Sequence, residues 1–206
     1  MRLLFGLILA GLIVAFLIEI AAVGGAWMLH RDGRIDDEIA WLERMRPLLV
    51  WDRTIDSQID KLYRDRIEQA LLAGRIEPAV QALRLARAHA GNSTKDPKLV
   101  SLGIETFTRA SDKVQQMGRL SRAADWDDSL FVFAIRAPEP RHRYAALAAF
   151  TEGLDLRVRD SQPCAALARV EWAKRGLGGE VPGMANNVEE DLAVQCNQTR
   201  RHGGVR

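Results

Sequence analysis

The sequence predicts an all-α protein in which one N-terminal transmembrane helix precedes a domain of about seven or eight helices arranged as helical hairpins. Three observations support this fold class. Residues 3–29 are apolar almost without a break, and Glu19 is the single charged residue among them. Beyond this stretch, apolar residues recur at steps of three and four. Ala, Leu, Arg and Glu are abundant and β-branched residues form no runs, which favours helix over strand.

Residues 1–30 are predicted to be a transmembrane signal-anchor. A helix over residues 3–29 is roughly 40 Å long, whereas a bilayer core requires roughly 30 Å. The small residues at 24–26 leave a cleavable signal peptide as the alternative. Because the apolar stretch 3–18 already exceeds a typical signal-peptide core, we predict an uncleaved anchor.

Two sets of residues in this helix are candidate contact sites. One helical face combines small residues with a carboxylate, and we predict that it meets a partner membrane helix: Gly11, Ala15, Glu19, Ala22 and Ala26. The alternative is a shorter span that places Glu19 near the bilayer surface. The end of the helix is predicted to form an interfacial anchor of three residues: Trp27, His30 and Arg31.

Residues 31–160 are predicted to form helical hairpins. The apolar periodicity predicts four successive helices, over residues 35–49, 54–74, 77–91 and 97–118. Two shorter helices are predicted around residues 126–134 and 144–153, and the interval 154–160 is predicted to be irregular.

Residues 60–90 resemble a known repeat family. The helix-turn-helix of a tetratricopeptide repeat has similar spacings of small and apolar residues, here Tyr63, Ala70, Gly74, Ile76, Ala79, Leu83 and Ala86. Ile67 departs from that pattern, because a small residue is usual at its position. Residues 118–123 also echo residues 74–79, forty-four positions earlier. The resemblance implies stacked hairpins of the α-solenoid type that bind other proteins.

Residues 161–199 are predicted to form a C-terminal helix pair, followed by a basic tail at 200–206. Cys164 lies near the start of the first helix and Cys196 near the end of the second. Antiparallel packing would place the two thiols side by side, which predicts a disulfide, with two unrelated buried thiols as the alternative. A bridge closing this loop would stabilise the fold by roughly 3 to 4 kcal/mol and would persist only in an oxidising compartment.

The sequence provides little support for catalysis or for nucleic-acid binding. The net charge is +2, and the four histidines have no metal-ligand spacing. The glycine-rich segment 176–187 lacks a phosphate-binding motif. Three acidic clusters, at 36–38, 125–128 and 189–191, are interpreted as solvated faces or first turns of helices. We therefore predict no enzyme, and no catalytic, cofactor-binding or metal-binding residues.

The expected function is a membrane-anchored protein-protein interaction module, acting as scaffold, assembly factor or chaperone-like accessory at the cell envelope. The first alternative is a single-span accessory subunit held in a membrane complex by its transmembrane helix, and the second is a membrane-bound glycan hydrolase. The expected partners are membrane or envelope proteins, together with lipid around residues 3–29. The arginines after the helix mildly favour a cytoplasmic domain, whereas the cysteine pair favours the periplasmic side of the inner membrane.

Overall fold

The computed structural model describes residues 2–49, 52–90, 96–177 and 184–203. Every regular element in these ranges is helical, so the predicted all-α class is confirmed. Within the described ranges the chain forms one 3₁₀ helix (Arg46–Leu48) and nine α-helices: α1 (Arg2–Arg31), α2 (Ile35–Met45), α3 (Asp52–Leu72), α4 (Ile76–His89), α5 (Pro97–Gln116), α6 (Leu120–Ala134), α7 (Pro140–Arg159), α8 (Pro163–Leu177) and α9 (Met184–Gly203).

The helices group into two compact units, Met1–Ser93 and Thr94–Arg206. The first unit contains α1 to α4, and the second contains α5 to α9. The single helical domain predicted for residues 31–206 stays a prediction.

In the first unit, α2 folds back along the second half of α1, and α3 packs against both α2 and α4. Each helix contributes an apolar face to the core, and the fully buried side chains include Leu42, Ile59, Ile67 and Leu83. Each of them belongs to a set of apolar residues that recurs at helical spacing in its own helix, α2, α3 or α4. Their burial therefore follows from the sequence periodicity.

In the second unit, α6 lies between α5 and α7, and α8 packs against both α7 and α9. Aromatic rings fill the centre of this unit: the Phe131 ring lies 4.5 Å from Phe150 and 6.1 Å from Trp172, measured between centroids. Gly103 of α5 lies directly against the Phe133 ring, where any larger side chain would collide. Close helix packing at this point therefore depends on a residue without a Cβ atom.

Four connections between consecutive helices share one backbone geometry. Each has a residue with positive φ, in the order Gly33, Gly74, Gly118 and Ser161, at intervals of 41, 44 and 43 residues. The next amide then donates to a carbonyl five residues earlier, at 2.8 to 3.2 Å. This is the Schellman helix end, which usually requires glycine. The echo between residues 74–79 and 118–123 therefore marks equivalent turns in two helical hairpins, whereas the tetratricopeptide resemblance stays a prediction.

The predicted helix bounds between residues 118 and 160 are wrong. α6 begins at Leu120, and α7 runs unbroken from Pro140 to Arg159, through the interval predicted to be irregular. Gly153 does not end a helix, because it lies where α7 crosses α6. A Cβ atom at Gly153 would be 3.2 Å from Asp127 Cβ and 3.4 Å from the Ala124 carbonyl oxygen. Gly153 therefore permits α7 to pack closely against α6 and does not terminate α7.

The C-terminal helix pair is present as α8 and α9, with different bounds from those predicted. α9 begins at Met184, so the acidic residues 189–191 follow its first turn instead of occupying it. Arg200 and Arg201, predicted to belong to a basic tail, are helical. The remaining tail residues 204–206 and the loop residues 178–183 lie outside the described residues.

Candidate functional site

The surface of α1 is apolar over most of its length. Its segment Ile8–Arg31 is long and apolar enough to cross a membrane, with a mean hydropathy of 2.4. Large apolar side chains remain exposed along it: Ile8, Leu9, Leu12, Ile13, Val14, Phe16, Leu17, Ile20, Val23, Trp27 and Met28. A soluble helix would bury such a run in a protein core, so the continuous exposure of large apolar side chains from Ile8 to Leu17 fits a lipid environment.

α2 covers part of the face that was predicted to meet a partner helix. Ala22 and Ala26 are fully buried, and the Trp41 indole of α2 donates a hydrogen bond to the Ala22 carbonyl oxygen at 3.0 Å. A Cβ atom at Gly25 would lie 2.6 Å from the Trp41 ring, so the small residues permit this close approach. Ala22 and Ala26 therefore contact this chain's own helix. A partner contact through Gly11, Ala15 and Glu19 stays a prediction.

The residues of the predicted interfacial anchor lie at the end of α1. The Arg31 guanidinium lies 5.5 Å from the centroid of the exposed Trp27 ring, within the range of a cation–π interaction. His30 Nδ1 lies 3.0 Å from Glu38 Oε2, and Gln58 Nε2 donates to Glu38 Oε1 at 3.3 Å. Because the Glu38 side chain is almost fully buried, these contacts connect α1, α2 and α3 through one carboxylate.

Cys164 and Cys196 lie at disulfide-bonding distance, with their Cα atoms 4.7 Å apart. Cys164 is in the first turn of α8, and Cys196 is in the second half of α9. α8 and α9 pack side by side, with Ala166, Val170 and Leu192 buried. The predicted pairing geometry is therefore present, and the bond would hold α9 against α8.

An open surface pocket of about 410 Å³ lies in the second unit, lined by Asp125, Asp128, Ser129, Val132, Arg157 and Arg169. Arg157 Nη2 donates to Asp128 Oδ2 at 2.6 Å and to Asp125 Oδ1 at 3.0 Å. Its Nη1 donates to the Gly153 carbonyl oxygen at 3.2 Å. The Arg157 and Asp128 side chains are 7% and 8% exposed, so this ion pair is buried, whereas the Asp125 side chain is 72% exposed.

A second arginine also pairs with Asp128. Arg169 Nε lies 2.8 Å from Asp128 Oδ2, and its guanidinium lies 4.1 Å from the centroid of the Trp172 ring. Burial raises the pKa of the Asp128 carboxyl despite the opposing effect of both arginines. Asp128 therefore joins α6, α7 and α8 through charged contacts.

Asp127 is a second buried acid of α6, and its Oδ2 atom has no hydrogen-bond partner among the described residues. Burial raises the pKa of Asp127 to about 7, with smaller contributions from the negative charges of Glu152, Asp128 and Asp112. A hydrogen-bond contribution from Ser111 opposes this rise in pKa. The cluster at 125–128, interpreted from sequence as solvated, thus contains two buried carboxyl groups. The sequence identified these acidic residues. It did not show which helices pack around them and bury two of the carboxyl groups.

The side chains that line this pocket are held by contacts within the second unit. The Ser129 hydroxyl donates to the Asp125 carbonyl oxygen at 2.8 Å, so it is held by its own helix. In the part of the chain that the structure describes, no three His, Cys, Asp or Glu side chains are placed to hold a metal ion. The ion pairs of Asp128 with Arg157 and Arg169 connect the helices that line the pocket.

No family model, curated protein or solved structure matches this chain. Three features of the chain bear on its function: the apolar helix, the repeated hairpin turn and the cysteine pair.

Proposed function

We propose that this protein is a membrane-anchored helical-hairpin protein that binds other proteins at the cell envelope, as a scaffold, assembly factor or chaperone-like accessory. The observation that carries the proposal is the hairpin turn that recurs at Gly33, Gly74, Gly118 and Ser161, in a chain that begins with an exposed apolar helix. Repeated helical hairpins commonly present extended binding surfaces, so the inference rests on architecture.

The cysteine pair supports an extracytoplasmic location for the second unit. A bridge between α8 and α9 would persist in an oxidising compartment and would be reduced in the cytosol. With α1 as a single span, a disulfide between these cysteines supports a location of the hairpins on the periplasmic side of an inner membrane. In this compartment the partners would be membrane or envelope proteins.

Site-specific photo-crosslinking in the intact, membrane-bound chain tests the proposed function. A photoreactive residue would replace one exposed apolar side chain at a time, at Leu72, Leu85, Met117, Val132, Tyr144 and Val194. We expect discrete protein adducts from at least one continuous patch of these positions, because a binding module holds its partner in one orientation. The buried position Phe150 serves as the control for nonspecific capture. A scan in which no exposed position yields more adduct than Phe150 would overturn the proposal.

A further inference from the structure

The packing of α2 on α1 fixes which residues of the two helices lie at the same level. Trp41 contacts Ala22 and Gly25, and Glu38 contacts His30, so the helices run antiparallel. Continuing this register, the segment Arg46–Leu48 returns to the level of Ile18 and Glu19. Both of these α1 residues are partly buried, although their apolar neighbours Leu17 and Ile20 are exposed.

Charged residues on α2 limit how far the bilayer can extend along α1. Asp36 and Asp37 at the start of α2 have side chains 66% and 53% exposed. Arg44, near its other end, is also exposed and lies close to the level of Ala22. Placing such side chains in hydrocarbon would cost about 2.5 to 3.5 kcal/mol each, so α2 must lie outside the bilayer core.

We infer that the bilayer surface meets α1 at Glu19 and that the turn Arg46–Leu48 rests on the same lipid surface, with Leu48 inserted among the headgroups. Leu48 is 57% exposed and lies at the end of α2 that returns towards the membrane. Arg44 precedes this segment and is exposed, and arginine side chains commonly lie at the level of lipid phosphates. The guanidinium of Arg46 is paired with Asp56, its Nε atom lying 3.0 Å from Asp56 Oδ1. The inference rests on α1 being the membrane anchor of the proposed function.

The length of α1 is compatible with this boundary. The 17 residues from Leu3 to Glu19 form a helix of roughly 25 Å, within the shorter range of membrane spans. Trp27 then stands roughly 12 Å beyond Glu19, clear of the hydrocarbon. The lipid contact then lies at the turn after α2 and not at the predicted anchor of Trp27, His30 and Arg31. Glu19 lies near the bilayer surface, as in the alternative to a partner contact.

Nitroxide labels on single introduced cysteines test this boundary in the full chain, reconstituted into vesicles of phosphatidylethanolamine and phosphatidylglycerol. The sites are Leu12→Cys, Met28→Cys, Leu48→Cys and Leu72→Cys, and unreduced wild-type protein gives the labelling background. Each label's collision rates with oxygen, which is enriched in lipid, and with a water-soluble nickel chelate are compared. Leu72 is the matched control, because it is also an exposed leucine of the first unit. Leu48 precedes the start of α3, whereas Leu72 is the last residue of that helix.

We expect a several-fold higher oxygen-to-nickel ratio at position 48 than at 72, an aqueous ratio at 28 and a deeply buried signal at 12. An aqueous signal at 48, with position 12 still deep in the bilayer, would overturn the inference and leave the anchor intact. An interfacial signal at 28 would also overturn it. An aqueous signal at position 12 would instead refute the anchor itself.

Discussion

Replacing Arg157 with methionine is expected to lower the free energy of unfolding of the second unit by about 3 to 5 kcal/mol. The guanidinium is buried and donates to two carboxylates and to one backbone carbonyl oxygen. Methionine retains much of the side-chain volume and removes the charge. Asp128 would then stay buried with Arg169 as its remaining cationic contact, and an incompletely paired buried carboxylate is costly.

Arg159→Met provides the matched control for this substitution. Arg159 lies two residues later on α7, has a side chain 55% exposed and approaches Asp155 at 3.8 Å. An exposed pair of this kind contributes roughly 0 to 1 kcal/mol. Hydrogen exchange of peptides from α6, α7 and α8 in the intact chain measures how much amide protection each variant loses. Equal loss of protection in the two variants would contradict the proposed role of the buried ion pair.

The stability of the second unit is expected to fall as the pH rises towards 7, because of Asp127. The pKa of this carboxyl is raised from 3.8 to about 7 in the folded chain, so the folded state binds the proton more tightly than the unfolded state. The favourable contribution is complete below about pH 4, declines through the folded pKa and is lost above it. The full difference is on the order of 4 kcal/mol.

Asp127→Asn is expected to remove this pH dependence, because the amide has nearly the shape of the protonated acid and does not ionise. The variant should resemble the wild type near pH 4 and exceed its stability at pH 8. Asp155→Asn, an exposed acid on α7, should leave the pH profile unchanged. The free energy of unfolding of each protein is compared across this pH range by urea unfolding of the full chain, with hydrogen exchange in α6 as the probe. Parallel profiles for the wild type and Asp127→Asn would disprove the assignment.

Local patterns predicted that the chain is helical and that helices end at two equivalent turns, Gly74 and Gly118. The repeated segment Gly-Arg-Ile/Leu at 33–35, 74–76 and 118–120 marks three of the four equivalent turns. The fourth has Ser161 at the positive-φ position, so a search for glycine does not find it. A glycine is also ambiguous in sequence, because Gly153 permits helix crossing whereas Gly74 ends a helix.

Features that depend on tertiary contacts were not predictable from the sequence. Ala22 and Ala26 share a face of α1 with Glu19, but sequence periodicity does not reveal whether α2 or another protein covers that face. Asp127 and Asp128 form part of an acidic cluster that resembles a solvated surface. Their burial follows only from the positions of α5, α7 and α8 around α6.

The most direct test of a membrane-anchored protein with extracytoplasmic hairpins is the redox state of Cys164 and Cys196 in the chain recovered from cell membranes. Thiols would be trapped with an alkylating reagent at lysis, and the chain would then be denatured, reduced and alkylated with a second reagent of different mass. Both cysteines are expected to carry only the second reagent, because they form a disulfide outside the cytosol. Both cysteines carrying the first reagent would contradict this expectation.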